Sequence, residues 1–128
     1  MNAESKTAAE ELLGVVRARY PLIYVDTWEE ERLAKLLAQA AGERPVWRWS
    51  SAQGFLDGPG AERNLSDPQA ALDFIVREGR DAVSLMLDLP PLLINNPRRT
   101  RAVRDVYDAL SDAPGALVMS FPGMRIPD

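Results

Sequence analysis

The sequence predicts a three-layer α/β fold: a parallel four-stranded sheet with helices on both faces. Three observations predict it. Short apolar runs alternate with amphipathic stretches in the order α-β-α-β-α-β-α-β, which is what right-handed crossovers over a parallel sheet require. The first of the strand runs, Leu22-Ile23-Tyr24-Val25, is apolar throughout, as a strand covered on both faces is. Proline, glycine and capping residues stand at the boundaries between stretches. At 128 residues and 46% hydrophobic, the chain is long enough for one domain core.

The first helix is expected over 5–19. Ala9, Leu12, Leu13 and Val16 fall on one stripe, and Pro21 ends it. After the first strand, Thr27-Trp28-Glu29-Glu30 matches a capping box. In that box the Thr27 hydroxyl accepts from the Glu30 backbone N–H and the Glu30 carboxylate reaches back. The second helix then carries Leu33, Leu36, Leu37 and Ala40 on one side, and Gly42 is a natural stop. In the second strand, 46–50, Trp47 and Trp49 alternate with Val46, Arg48 and Ser50, the pattern of a half-covered edge strand. A loop over 51–66 contains Gly54, Gly58, Pro59 and Gly60.

Asp67 followed by Pro68 reads as an N-cap acid and a proline at the first helical position. Leu72, Ile75 and Val76 give the third helix its inner face, and Gly79 closes it. The third strand, 83–88, is stopped by Pro90 and Pro91. Asn96-Pro97 repeats the cap signal, and the fourth helix turns Val103, Val106, Tyr107 and Leu110 inward. Pro114-Gly115 leads into the fourth strand, 116–121, and a Pro/Gly-rich tail. There is no internal repeat, so 1–128 reads as a single α/β domain. The expected strand order is 1-4-3-2. It leaves the first strand as an edge with no Lys, Pro or bulge to guard it, which makes the chain a candidate homo-oligomer. A fold-back of 122–128 is the alternative cover.

Composition removes several function classes. With no Cys and no His, thiolate chemistry, disulfides, the usual neutral-pH base and the commonest metal ligand are absent. A net charge of −4 disfavours non-specific nucleic-acid binding. The polar start has no signal-peptide pattern, and no apolar run approaches the roughly 20 residues of a membrane span. A cytoplasmic protein without nucleic-acid or membrane partners is the expectation.

In open parallel sheets, ligands sit beyond the C-terminal ends of the strands. Those ends offer Asp26, Thr27, Ser50, Ser51, Asp88 and Ser120. A phosphate-binding loop would occupy the first strand-to-helix turn, with glycines for close backbone approach and a Lys for the phosphates. The turn instead runs Asp26-Thr27-Trp28-Glu29-Glu30-Glu31, so like charge would repel a nucleotide. Neither a cofactor nor a catalytic or metal-binding residue is expected. The Gly54–Gly60 stretch lacks Lys and reads as a surface loop, with Phe55 and Leu56 as partner contacts or tucked beneath it. Arg98, Arg99, Arg101 and Arg104 open the fourth helix. They are a solvated face or a docking patch for an acidic surface.

Two other readings use the strand-end acids. Leu85-Met86-Leu87-Asp88 is similar to the strand that positions magnesium in P-loop ATPases, but Leu89 stands where a catalytic Glu would follow. Asp26, Asp88 and Ser120 suit a receiver-like phospho-switch. That switch would lack its lysine after the fourth strand, because the only lysines are Lys6 and Lys35. A small magnesium-dependent hydrolase using Asp26 and Asp88 is the remaining alternative.

Several stretches in order resemble the N-terminal region of Ycf-type AAA+ ATPases, a plastid, cyanobacterial and bacterial family. They are Arg17-Ala18-Arg19-Tyr20-Pro21-Leu22-Ile23-Tyr24-Val25, Thr27-Trp28-Glu29-Glu30-Glu31-Arg32, Trp47-Arg48-Trp49-Ser50 with Gly54-Phe55-Leu56-Asp57-Gly58, Asp67-Pro68 with Ala71-Leu72-Asp73-Phe74-Ile75, and Met124-Arg125-Ile126-Pro127. The resemblance implies a degenerate P-loop-like domain without Walker motifs. It would be a non-catalytic docking or regulatory module whose partner is an AAA+ ATPase module in cis or in trans.

Overall fold

The computed structural model describes residues 3–27 and 29–122, with side chains from Glu10 onward. Its elements are α1 (Ala3–Arg17), β1 (Leu22–Val25), α2 (Glu30–Ala41), β2 (Val46–Ser50), β3 (Gly54–Phe55), α3 (Pro68–Glu78), β4 (Val83–Leu87), α4 (Pro90–Leu93), α5 (Pro97–Leu110) and β5 (Ala116–Ser120). The sheet runs β1-β5-β4-β2-β3. The pairs β1/β5, β5/β4 and β4/β2 are parallel, and β2/β3 is antiparallel.

The sheet therefore has five strands rather than four, and the order 1-4-3-2 is corrected to β1-β5-β4-β2-β3: the four expected strands keep their neighbours, and β3 is added outside the second. The difference comes from the glycine-rich loop, which turns back onto the sheet. Gly54 has φ 73°, and a Cβ there would sit 3.2–3.3 Å from the backbone of Leu65 and Ser66. The turn brings Phe55 opposite Trp49. The Leu56 N–H then donates to the Arg48 carbonyl at 2.8 Å, and the Arg48 N–H donates to the Asp57 carboxylate at 3.1 Å. The outer side of β2 is thus occupied, and β2 is not the sheet edge its alternating pattern suggested.

Alternate residues of each strand feed two cores. Ile23, Val83, Leu85, Ala116 and Val118 pack with α1 and α2, while Trp47, Trp49, Met86 and Leu117 pack with α3 and α5. Topology dictates the split. The β1-α2-β2 crossover passes across the sheet in one direction, and the next two crossovers return in the other. Right-handed connections then put α2 on one face and α3 and α5 on the opposite face.

At the N-terminal ends of the strands, Arg44 holds three segments together. Its guanidinium donates to the carbonyls of Ala41 at 3.0 Å, Pro114 at 2.7 Å and Val16 at 3.3 Å. At the far side of the sheet, β1 pairs with β5 alone among the described strands. The carbonyls of Pro21 and Val25 bond to β5, so the alternation of a parallel ladder turns the polar groups of Leu22 and Tyr24 to the open side.

Smaller departures have local causes. Helix α1 ends at Arg17, because Arg19 adopts a left-handed conformation (φ 62°) before Pro21 can act. Tyr107, expected inward, is exposed; the inner face of α5 is Ala102, Val103, Val106 and Leu110. Pro90 and Pro91 stop the strand and also open α4, since proline suits a first helical turn. The side chain of Ala9, Trp28 and the tail from residue 123, with the Met124-Arg125-Ile126-Pro127 match, lie outside the described residues.

Candidate functional site

At the C-terminal end of the sheet, the described residues form a concave region on each face. The first is a cavity of about 550 Å³ between the start of α2 and strands β2 and β4. Leu85, Leu87 and Leu56 form its apolar part, and Glu29, Glu30, Glu31, Arg32 and Arg48 its polar part. It sits where a nucleotide would be expected, but its polar wall is acidic.

The local chemistry explains that wall. Helix α2 starts at Glu30, with Glu29 at the N-cap and no side-chain cap. The Thr27 hydroxyl accepts from the Glu29 N–H at 3.1 Å, a tight turn two residues along. The Thr27–Glu30 capping box is therefore not formed, because the hydroxyl is engaged before the helix begins. Burial first, and then the carboxylates of Asp88 and Glu31, push the Glu30 carboxyl above its ordinary range.

Both arginines in the cavity are engaged. Arg32 pairs with Glu29 at 3.2 Å. Arg48 is held by Asp57, through Nε to Oδ2 at 2.9 Å and Nη2 to Oδ1 at 3.4 Å. These hydrogen bonds raise the Arg48 pKa and lower that of Asp57.

The second region is a groove of about 330 Å³ beside α4 and the start of α5. Asn96 caps α5, its Oδ1 accepting from the Arg99 N–H at 3.1 Å. The four arginines expected to act together are separated by the fold. Arg99 turns inward, donating to the Leu92 carbonyl at 3.0 Å and lying 3.7 Å from Asp67. Arg101 pairs with Asp105 at 3.2 Å and lines the groove with Arg104. Arg98 and Arg104 are exposed and have no carboxylate within 4 Å among the described residues.

The remaining expected site residues also part company. Phe55 is buried, 5.4 Å from the Phe74 ring and 6.3 Å from Trp47, whereas Leu56 is 39% exposed. Phe55 is thus a core residue, and of the two only Leu56 is exposed. Ser120 is buried, its carbonyl accepting from the Asp88 N–H at 2.8 Å, so it leaves the polar rim. Asp26 and Asp88 are exposed, and Asp88 takes a left-handed conformation (φ 58°). Among the described residues no three acids gather as metal ligands would, and no helix is long and apolar enough to cross a membrane.

The sequence reading missed Ile94, which is 70% exposed, and the Arg48–Asp57 pair. An isoleucine next to Asn95-Asn96 was the available signal for the first. The second had none, since a nine-residue separation carries no periodicity.

Residues 8–128 match the profile of the family described as "SpoVK-like AAA ATPase, N-terminal domain". The chain is 29% identical over 119 residues to the "Uncharacterized AAA domain-containing protein ycf46" of Guillardia theta, covering 88% of this chain and 23% of that protein. A protein of the same description from Trieres chinensis is 32% identical over 85 residues, covering 61% of this chain and 16% of that protein. The chain thus spans less than a quarter of the length of these relatives. No solved structure matches it.

Proposed function

From the fact that the chain belongs to the SpoVK-like AAA ATPase N-terminal domain family, we propose that it is a non-catalytic docking and regulatory domain for an AAA+ ATPase module, joined in cis or met in trans. One observation carries this reading: the turn after β1 is acidic and holds neither glycine nor lysine. It leads into a helix whose first turn contains Glu30 and Glu31. A nucleotide there would face carboxylates in place of backbone N–H groups and a lysine. No observation favours the receiver or hydrolase alternative.

Calorimetric titration with magnesium and ATP checks the reading. No binding is expected at cellular nucleotide levels, and a micromolar dissociation constant would refute it.

Self-association is part of the same proposal and draws on β1. The polar groups of Leu22 and Tyr24 lie on the side of β1 where no described strand pairs, beside apolar side chains, which makes a strand edge ready to pair. Light scattering at tens of micromolar protein should report a species larger than the monomer. A clean monomer whose β1 amides exchange slowly would remove the idea.

A further inference from the structure

The groove beside α4 and α5, together with Ile94 and Arg98 next to its lining residues in the chain, has three properties that the stability of the domain does not require. First, Ile94, which follows the groove-lining Leu93 in the chain, is 70% exposed, the most among the large apolar side chains described. Second, Arg98 and Arg104 project from α5 with no carboxylate within 4 Å among the described residues. Third, the groove is already fixed in shape. The Thr100 hydroxyl donates to the Leu93 carbonyl at 3.5 Å, and the Asn96 N–H donates to the same carbonyl at 3.2 Å. Arg99 fastens the preceding carbonyl, that of Leu92. A preformed surface loses little freedom on binding.

The helix end itself is not what an anion would meet. The Asn96 side chain already accepts from the first turn of α5, so negative charge would be recognised by guanidinium groups.

We infer that this groove takes an acidic segment of a partner protein that carries an apolar side chain among its carboxylates. The apolar group seats against Leu93 and Ile94, and the carboxylates meet Arg98 and Arg104. The net charge of −4 over the chain adds selectivity, because the rest of the surface repels such a segment and this face admits it. The inference rests on the docking reading and names the chemistry of what is docked.

Fluorescence anisotropy tests it on the 128-residue chain, with a labelled peptide of aspartates and glutamates around a central leucine. The acidic peptide should bind, and the same peptide with lysine for each acid should not. Arg98→Ala with Arg104→Ala should weaken binding about tenfold, and Ile94→Ser about threefold. Arg17→Ala with Lys35→Ala, the same change of charge elsewhere, should leave it unchanged.

No binding of the acidic peptide, or equal loss in the two double variants, would overturn the inference. Self-association of the wild type that Arg98→Ala/Arg104→Ala abolishes would also overturn it, by making a second copy the occupant. Titration against the remainder of the Guillardia theta relative separates the two levels. Peptide capture without binding there removes the docking reading and leaves the groove. Binding there that survives Arg98→Ala/Arg104→Ala, without peptide capture, removes the groove and leaves docking.

Discussion

Helices α2 and α5 begin at the same end of the sheet, just beyond β1 and β4, on opposite faces. Their first turns are built in opposite ways. At α2 no side chain caps the helix, and Glu30 and Glu31 supply negative charge at its positive end. At α5 Asn96 caps the helix, Pro97 follows, and the first turn carries arginines and no acid. A charge in the first turn shifts helix stability by about 0.3–1 kcal/mol, in favour of acids and against cations. The α2 start thus has acids at the helix's positive end, a gain that burial and the neighbouring carboxylates outweigh at Glu30, and the α5 start has a hydrogen bond that offsets unfavourable charge. One of those arginines, Arg99, has an internal use in fastening Leu92 and Asp67. Arg98 has none among the described residues, and neither does Arg104, six residues further along the helix. The contrast separates charges placed for the fold from charges that the fold merely tolerates.

The largest expected effect comes from removing the cap. Asn96→Ala should destabilise the domain by about 1 kcal/mol in urea denaturation. Thr27→Ala should cost less than about 0.5 kcal/mol, since its hydroxyl serves a turn outside the helix. Equal losses in the two variants would mean that both helices start alike and would break the comparison.

A smaller effect sharpens the α2 side. The Glu30 carboxyl titrates above its ordinary value in the folded chain, from burial and then from Asp88 and Glu31. Between the unfolded and folded values the native state binds the extra proton. Stability attributable to Glu30 therefore falls as pH rises through that window and then stays level. Glu30→Gln should stabilise the domain at neutral pH by a few tenths of a kcal/mol, since the group is largely solvated. The gain should vanish below the unfolded carboxylate value. A gain that persists in acid would assign the effect to packing.

What the sequence made legible was local. Asp67 and Asn96 cap α3 and α5 as their pairing with proline predicts, because a cap and its helix are neighbours in the chain. The apolar stripes of α2 and α3 follow from helical period in the same way. Residues whose roles depend on distant contacts were not legible. Gly54 and Phe55 form a strand where Gly54 turns the chain back and Leu56 and Asp57 bond to Arg48 across the turn. Phe55 and Leu56 look equivalent in sequence, and only strand pairing decides which one enters the core. Thr27 matches a capping pattern whose hydrogen bond goes one residue early. For the candidate site, the acidic turn after β1 could be read directly. The division of the four arginines could be read only for Arg101, whose partner Asp105 lies four residues on in the same helix; that of Arg99 depends on where Asp67 and Leu92 lie in space.

The Arg44 clasp governs how the domain can open. Its one guanidinium reaches carbonyls at the end of α1, at the end of α2 and in the turn before β5. Burial first, and then Arg19, lowers its pKa, so its charge depends on those carbonyls for solvation. Fraying of any one segment would leave the donor short of partners, which couples the three ends into one cooperative unit. The α1, α2 and β5 ends are thus tied together by one side chain, whereas the concave regions are each held by local bonds of their own, Arg48 with Asp57 in one and Arg99 with Leu92 in the other.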